Sequence, residues 1–276
     1  MRVSVNGLLR MNAFEAPGRT VAPTTDDLFL GGALTILQPR NGYRAGTDAV
    51  LLAALMAPET LGAGPVLDVG AGVGVIGLCV ARRCPSARVI LLERDPCLAA
   101  LARDNVQRNN MSDRVSVVET DLARATAALE VADIKSESFP VVLANPPYHD
   151  DRRSTLAESP LKAVSHQMSD DLLDAWARFM CRMAAPGGRA AMIHKAEALP
   201  RILETFEGRF GSIAVLPIHA RAGEPAIRVI VEGVKGSRAP LYIRPGLVLH
   251  TPEQSFVPEI EAIFRHGAPL PPQYRG

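Results

Sequence analysis

The fold is decided by residues 65–77, which read PVLDVGAGVGVIG. The first five of them form an apolar run that predicts a buried β-strand, and glycines follow at positions 70, 72, 74 and 77. Residues 78–83 continue in a pattern typical of a helix. Glycines after the first strand of an α/β unit allow a tight turn and let the backbone approach a nucleotide-sized ligand closely. The stretch therefore predicts a strand, a ligand-binding turn and a helix.

The same glycines leave two cofactor classes open. Residues 72–77 satisfy the dinucleotide fingerprint G-x-G-x-x-G, so a nicotinamide cofactor has to be weighed against S-adenosylmethionine. Asp68 lies two residues before the first glycine, where a carboxylate can reach the amino group of S-adenosylmethionine. No constellation of residues for hydride transfer follows later in the chain. These two features favour S-adenosylmethionine.

Acidic residues follow the next two predicted strands. Glu93 terminates the second strand, residues 88–92, where a carboxylate can accept hydrogen bonds from both ribose hydroxyls. Asp121 follows the third strand, residues 115–118, and is placed to meet an adenine amine. Asp48 lies near the start of a predicted helix that enters the same site. The predicted cofactor-binding residues are Thr47, Asp48, Asp68, Gly70, Ala71, Gly72, Gly74, Glu93, Asp121 and Asn145.

The tetrad Asn145-Pro146-Pro147-Tyr148 directly follows residues 140–144, the fourth predicted strand, and supplies the predicted catalytic residues. A planar nitrogen is a poor nucleophile because its lone pair is delocalised, and hydrogen-bond acceptors on its N–H groups return electron density to it. The Asn145 side chain and the Pro146 carbonyl supply two acceptors, and the prolines make this backbone rigid. Tyr148 offers a ring face to a flat substrate. The tetrad therefore favours amine methylation over an ordinary Asn-Pro turn.

With these motifs in this order, the chain resembles the class I, Rossmann-like, S-adenosylmethionine-dependent methyltransferases. More narrowly, it resembles the bacterial family that methylates the exocyclic amine of an adenosine in the anticodon loop of tRNA1(Val). The narrower resemblance spans residues 26–265 and also rests on residues 28–38, LFLGGALTILQ, and residues 42–52, GYRAGTDAVLL. It implies S-adenosylmethionine as cofactor, S-adenosylhomocysteine as product and a tRNA as the RNA substrate.

The resemblance also implies an α/β fold. We expect a seven-stranded, mostly parallel sheet with helices on both faces, a short N-terminal β-hairpin turning at Gly31–Gly32, and a C-terminal appendage. One domain should cover residues 26–265. Residues 1–25 are predicted to be a mobile arm, and the Pro-rich residues 266–276 a disordered tail. A helix is expected at residues 169–184, opened by a Ser-Asp-Asp cap.

Other substrates stay open. Related ribosomal-RNA guanine methyltransferases and protein-glutamine methyltransferases share the glycine loop and the Asn-Pro-Pro motif, and a nucleotide-binding module without catalysis is a further alternative. The short N-terminal element argues against the glutamine enzymes, which carry a larger helical domain before the core. After the tetrad, a polar stretch up to residue 168 predicts a loop over the substrate. Its candidate RNA contacts are Arg152, Arg153 and Lys162.

Composition agrees with a cytoplasmic enzyme built on one large core. Hydrophobic residues make up 47% of the 276 residues, and the formal net charge is +1, so bulk charge does not indicate nucleic-acid binding. The four cysteines form no CxxC pair and read as reduced thiols. The six histidines have no metal-ligand spacing, so we expect no bound metal. No apolar run approaches the roughly 18 residues of a membrane span.

Overall fold

The computed structural model describes residues 23–41, 44–59, 61, 64–122, 125–148 and 161–275, with the backbone alone at 126–127 and 161–171. The strands are β1 Thr24–Phe29, β2 Leu34–Pro39, β3 Val66–Val69, β4 Val89–Glu93, β5 Val115–Glu119, β6 Phe139–Ala144, β7 Ala184–Lys195, β8 Phe210–His219, β9 Ala226–Lys235, β10 Tyr242–Ile243 and β11 Leu247–Val248. The helices are α1 Thr47–Ala53, α2 Val75–Arg83, α3 Pro96–Arg108, α4 Ala125–Val131, α5 Leu161–Met183, α6 Leu199–Phe206 and α7 Pro258–His266.

The main sheet has the order β10-β8-β9-β7-β6-β3-β4-β5, and β11 also pairs with β8. Strands β3 to β7 pair in parallel, whereas β9 runs antiparallel to both β7 and β8. The seven long strands confirm the predicted Rossmann-like sheet. The expected number of strands, seven, is too low for the whole sheet, because the two-residue strands β10 and β11 pair with β8 in parallel. The carboxyl ends of β3 to β7 share one edge, where parallel α/β sheets place their ligands.

Helices cover both faces of the sheet, as expected, because the central strands are apolar on both sides. In β3, Val66 packs into the core formed with α1, α2 and α7, whereas Leu67 and Val69 pack into the core formed with α5 and α6. Asp68 lies between them and is fully buried. The strand therefore reads as a continuous buried run with one carboxylate inside it.

The N-terminal hairpin turns at Gly31–Gly32, as predicted. β1 and β2 pair antiparallel around a turn of 3-10 helix at Leu30–Gly32. Asn105 of α3 and Asn109, directly after the helix, hold the backbone of β2: Asn105 Oδ1 accepts the N–H of Leu37 at 2.7 Å, and Asn109 Oδ1 accepts the N–H of Thr35 at 3.0 Å. Asn105 also donates to the carbonyl of Val73 in the glycine turn. One buried amide thus joins the hairpin to the ligand-binding turn.

Two boundary predictions are wrong. Helix α5 begins at Leu161, so the expected Ser-Asp-Asp cap lies inside the helix and residues 161–168 are not loop. Residues 267–275 of the tail are packed rather than disordered: Leu270 is fully buried, and its N–H donates to the carbonyl of Ala54 at 2.7 Å. Prolines interrupt secondary structure but do not prevent burial of an apolar side chain between them.

All four cysteines are free thiols; Cys79 and Cys84 are buried, and Cys97 is exposed. Across the part of the chain that the structure describes, no helix combines the length and the apolar character that a membrane crossing requires.

Candidate functional site

The glycine turn between β3 and α2 forms part of the wall of the candidate site. Gly70, Gly72 and Gly74 have φ angles of 63°, 58° and 93°, in the left-handed region that favours glycine. Gly70 has a second requirement, because an added Cβ atom would lie 2.1 Å from a ring carbon of Trp176. The N–H of Ala71 donates to a β4 carbonyl at 2.9 Å. Backbone bonding and close packing therefore hold the turn between β4 and α5.

Asp68 lies beneath this turn. Its Oδ2 atom accepts the N–H of Gly77 at 2.9 Å, in the first turn of α2, where backbone donors have no partner inside the helix. Its Oδ1 atom is buried and has no hydrogen-bond partner among the described residues. Burial raises the pKa of Asp68 to about 8; the Gly77 N–H opposes this shift, and the charge of Glu93 adds to it. The carboxyl group is thus a buried support for the turn.

Glu93 ends β4 and is almost fully buried. Its Oε2 atom accepts the N–H of Gly72 at 2.8 Å, and its Oε1 atom accepts the N–H groups of Arg94 and Asp95, both at 2.8 Å. A carboxylate offers about four lone-pair directions. Three are used by the backbone here, so the carboxylate holds the glycine turn against the end of β4 and has capacity for one further donor at Oε2.

A cavity of about 480 Å³ lies beside the turn, at the carboxyl ends of β4, β5 and β6 and against α5. This size is within the usual range of ligand pockets. Its carboxylates are Glu93, Asp95 and Asp121, and its large apolar side chains include Leu122, Trp176 and Phe179. Three arginines, Arg94, Arg178 and Arg182, also line it. The apolar side chains and the acceptors suit a flat heterocycle that carries hydrogen-bond donors.

The catalytic tetrad follows β6 at the same edge. Asn145 and Pro147 line the cavity, Pro146 is buried, and Tyr148 is half-buried. The Tyr148 hydroxyl lies 2.8 Å from Oδ2 of Asp48 and 3.3 Å from Oδ1 of Asn145. Asn145 therefore joins the cavity to the tyrosine, and Asp48 reaches that tyrosine from the start of α1.

Basic side chains surround the Tyr148 ring. The guanidinium carbon of Arg228 lies 5.2 Å and Nζ of Lys195 lies 5.8 Å from the ring centroid, and the His194 ring contacts it edge-on with centroids 4.6 Å apart. Arg228 Nε donates to Asp48 Oδ2 at 2.8 Å. Burial lowers the pKa of Arg228, but the hydrogen bond and charge of Asp48 outweigh it and leave that pKa above its usual value. Arg228 therefore remains cationic.

The predicted cofactor residues separate into two groups. The cavity wall contains Gly70, Gly72, Glu93, Asp121 and Asn145. The other five lie outside the described wall: Thr47, Asp48, Asp68, Ala71 and Gly74. Cofactor contact remains a prediction for all ten. Of the predicted RNA contacts, Arg152, Arg153 and the side chain of Lys162 lie outside the described residues.

Sequence reasoning missed several residues of the site. Trp176 and Phe179 read as ordinary core residues of a helix, since no pattern separates a cavity wall from a core. Asp95 reads as a helix cap, and it does cap α3 by accepting the N–H of Cys97. Arg228 carried a usable signal: it is a charged residue inside a strand of apolar neighbours.

S-adenosylmethionine fits the residues present. Its amine and hydroxyl groups are donors, and the wall offers three carboxylates and an amide oxygen, beside a turn where glycine leaves the backbone open. The cofactor supplies a methyl group bound to positively charged sulfur. This chain's own residues can bind it and can orient an acceptor amine, because Asn145 Oδ1 is an acceptor at the cavity wall.

Comparison with known proteins agrees with this geometry. Residues 44–169 match the model of the methyltransferase small domain family. A tRNA1(Val) (adenine(37)-N6)-methyltransferase of Porphyromonas gingivalis is 32% identical over 184 residues, which cover 63% of this chain and 67% of that protein. A protein of the same name from Bacteroides thetaiotaomicron is 34% identical over 121 residues, covering 44% and 47% of the two chains.

A solved structure from Agrobacterium tumefaciens, described as a "predicted O-methyltransferase", superposes with a TM-score of 0.67 at 30% identity, over 83% of this chain and 99% of that one. Family match, identity and superposition all point to the same class of enzyme. This chain therefore belongs to the class I S-adenosylmethionine-dependent methyltransferases of the small-domain family, and S-adenosylmethionine is its methyl donor.

Proposed function

We propose that this enzyme methylates the exocyclic N6 amine of an adenosine in the anticodon loop of a tRNA, in the cytoplasm. The position of Asn145 carries the proposal, because this residue lines the cofactor cavity and also lies 3.3 Å from the Tyr148 hydroxyl. An acceptor for an amine and a ring for a flat base thus adjoin at the edge of the methyl-donor site. The relatives named for adenine 37 of tRNA1(Val) make that tRNA the first substrate to test.

An RNA loop suits such a site. The bases of a loop can be splayed out and stacked on an aromatic side chain at a low unstacking cost. Stacking on Tyr148 would leave the N–H groups of the amine to hydrogen-bond with the Asn145 side chain and, as we predict, with the Pro146 carbonyl. The two acceptors favour the pyramidal amine that attacks the methyl group, and the product loses its proton to water.

The charges around Tyr148 support an anionic substrate. Lys195 and Arg228 lie directly opposite each other on neighbouring strands, and each has an acidic partner, Glu197 and Asp48. Phosphate groups of a bound RNA would add anionic partners for this pair of cations. Arg152, Arg153 and Lys162 remain the proposed contacts of the flanking phosphates, so RNA binding should weaken steeply as salt concentration rises.

A hydroxyl acceptor is the second candidate, favoured by the description of the Agrobacterium tumefaciens protein. A hydroxyl must lose its proton to become a strong nucleophile, whereas an amine already carries the reacting lone pair. The amide of Asn145 accepts hydrogen bonds but is not a base at neutral pH. The tetrad therefore supports an amine better than a hydroxyl.

The decisive experiment offers the purified enzyme and labelled S-adenosylmethionine three substrates separately: unmodified tRNA1(Val), ribosomal subunits and release factors. Nucleoside mass spectrometry should find N6-methyladenosine in the tRNA alone. Methylguanosine in ribosomal RNA, methylglutamine in a release factor, or a ribose-methylated nucleoside would each replace the proposed substrate with another. Replacement of the loop adenosine by guanosine in the tRNA is the matched control and should remove the signal.

A further inference from the structure

The Tyr148 hydroxyl has one proton and two acceptors within reach. Asp48 Oδ2 lies at 2.8 Å and Asn145 Oδ1 at 3.3 Å from the hydroxyl oxygen. If the hydroxyl donated to Asn145, it would use the acceptor that the substrate amine needs. The choice between the two acceptors therefore bears on the reaction.

Two observations favour Asp48. Its contact is the shorter one, and a hydrogen bond to an ionised carboxylate is roughly twice as strong as one to a neutral amide. The same Oδ2 atom also accepts from Arg228 Nε at 2.8 Å, and the Asp48 side chain is only 19% exposed. The guanidinium fixes the position of that oxygen.

We propose that Asp48 is a positioning residue of the methyl-acceptor half of the site: it binds the Tyr148 hydroxyl proton and so leaves Asn145 Oδ1 available to the substrate amine. This inference rests on the proposed function. It moves Asp48 from the cofactor, where the sequence predicted it, to the acceptor. The contacts agree, because Asp48 bonds to Tyr148 and Arg228 and lies outside the described cavity wall.

A double-mutant cycle tests the coupling, with single-turnover methylation of unmodified tRNA as the readout. The four proteins are the wild type, Asp48→Ala, Tyr148→Phe and the double variant. In the wild-type background, Asp48→Ala frees the hydroxyl to donate to Asn145, and we expect the rate to fall about tenfold. In the Tyr148→Phe background no hydroxyl competes, so the same substitution should change the rate by less than about threefold. Loss of the Arg228 partner is common to both backgrounds and cancels.

The dissociation constant for S-adenosylhomocysteine separates this role from cofactor binding and should stay within about twofold of wild type in all four proteins. The isosteric Asp48→Asn, a weaker acceptor, should show the same dependence on background with a smaller fall. Asp26→Ala is the matched control: Asp26 pairs with Arg108 at 2.6 Å on the hairpin, and its loss should leave both quantities unchanged.

Equal losses of rate in the two backgrounds would overturn the inference, and so would a tenfold weaker affinity for S-adenosylhomocysteine in Asp48→Ala. Either result leaves the proposed function intact, since that depends on the product of the wild-type reaction. A wild-type enzyme that transfers no methyl group to tRNA removes the proposed function, and the inference with it.

Discussion

The two halves of the site are held together in different ways. In the cofactor half, Glu93 bonds to three backbone N–H groups and Asp68 to one, all within 21 positions along the chain. In the acceptor half, side chains bond to side chains from distant segments: Tyr148 and Asp48 are 100 positions apart, and Arg228 and Asp48 are 180 apart.

Each half is therefore sensitive to a different kind of substitution. Backbone donors are present at nearly every position, so the cofactor half depends on carboxylates and on glycines that let the chain turn. The acceptor half depends on the identity of single side chains that meet only in the folded protein. Substitutions should therefore separate binding from chemistry.

Asn145→Ala should separate the two halves most clearly. It removes the acceptor aimed at the amine and leaves the glycine turn untouched, so the turnover number should fall about 100-fold or more, the scale for loss of one aimed electrostatic group. Affinity for S-adenosylhomocysteine, measured by calorimetry, should change much less than the turnover number. Wild-type turnover in this variant would refute the assigned role.

Two glycine substitutions, compared with each other, measure how tightly the cofactor half is packed. Gly70→Ala should lower the free energy of unfolding by about 2 kcal/mol or more, because it combines left-handed strain with a collision against Trp176. Gly208→Ala is the control: φ is similar, at +72°, and nothing lies within 4 Å of the added atom, so only the strain remains. Urea denaturation of the two variants should therefore differ, and equal losses would show that the Trp176 contact relaxes freely.

Glu93→Gln tests the carboxylate that organises the turn. An amide NH2 group cannot accept a hydrogen bond, so one of the backbone donors now bonded to Glu93 loses its partner, and affinity for S-adenosylhomocysteine should weaken about tenfold. Glu119→Gln is the matched control, since Glu119 pairs with Glu93 in register on β5 but bonds to Arg103. Equal binding by the two variants would place the cofactor elsewhere.

The smallest effect, taken per pH unit, concerns Asp68 and pH. Its pKa in the folded protein is raised to about 8, so between about pH 4 and pH 8 the folded state binds a proton that the unfolded chain has lost. This contribution to stability is complete below about pH 4 and declines as pH rises through 8, by at most about 1.4 kcal/mol per pH unit. Asp68→Asn lacks this dependence.

Urea denaturation from pH 5 to pH 8 should therefore show the stability of Asp68→Asn rising relative to wild type as the pH increases. A constant difference between the two proteins would mean that Asp68 is already ionised in the folded state across this range.

Prediction from sequence worked where the signal is local. The glycine turn, the strands before it and after it, and the hairpin at Gly31–Gly32 were identified because each follows from a short pattern with its own steric reason. The start of α5 and the packed tail were not, because helix length and the burial of Leu270 depend on neighbours elsewhere in the chain. For the same reason the contacts of Asp48 with Tyr148 and Arg228 have no signal in the sequence.

Local sequence patterns specify the chemistry available to this enzyme: a glycine turn after a buried strand, acidic residues at successive strand ends, and Asn145 to Tyr148 after the fourth strand. Spacing along the chain specifies these features because each depends on backbone geometry within a few residues. The contacts of Asp48 with Tyr148 and Arg228, and of Trp176 with Gly70, follow from the tertiary fold and from no local pattern. Those contacts join helices and strands far apart in the chain, and packing alone brings them within hydrogen-bonding distance.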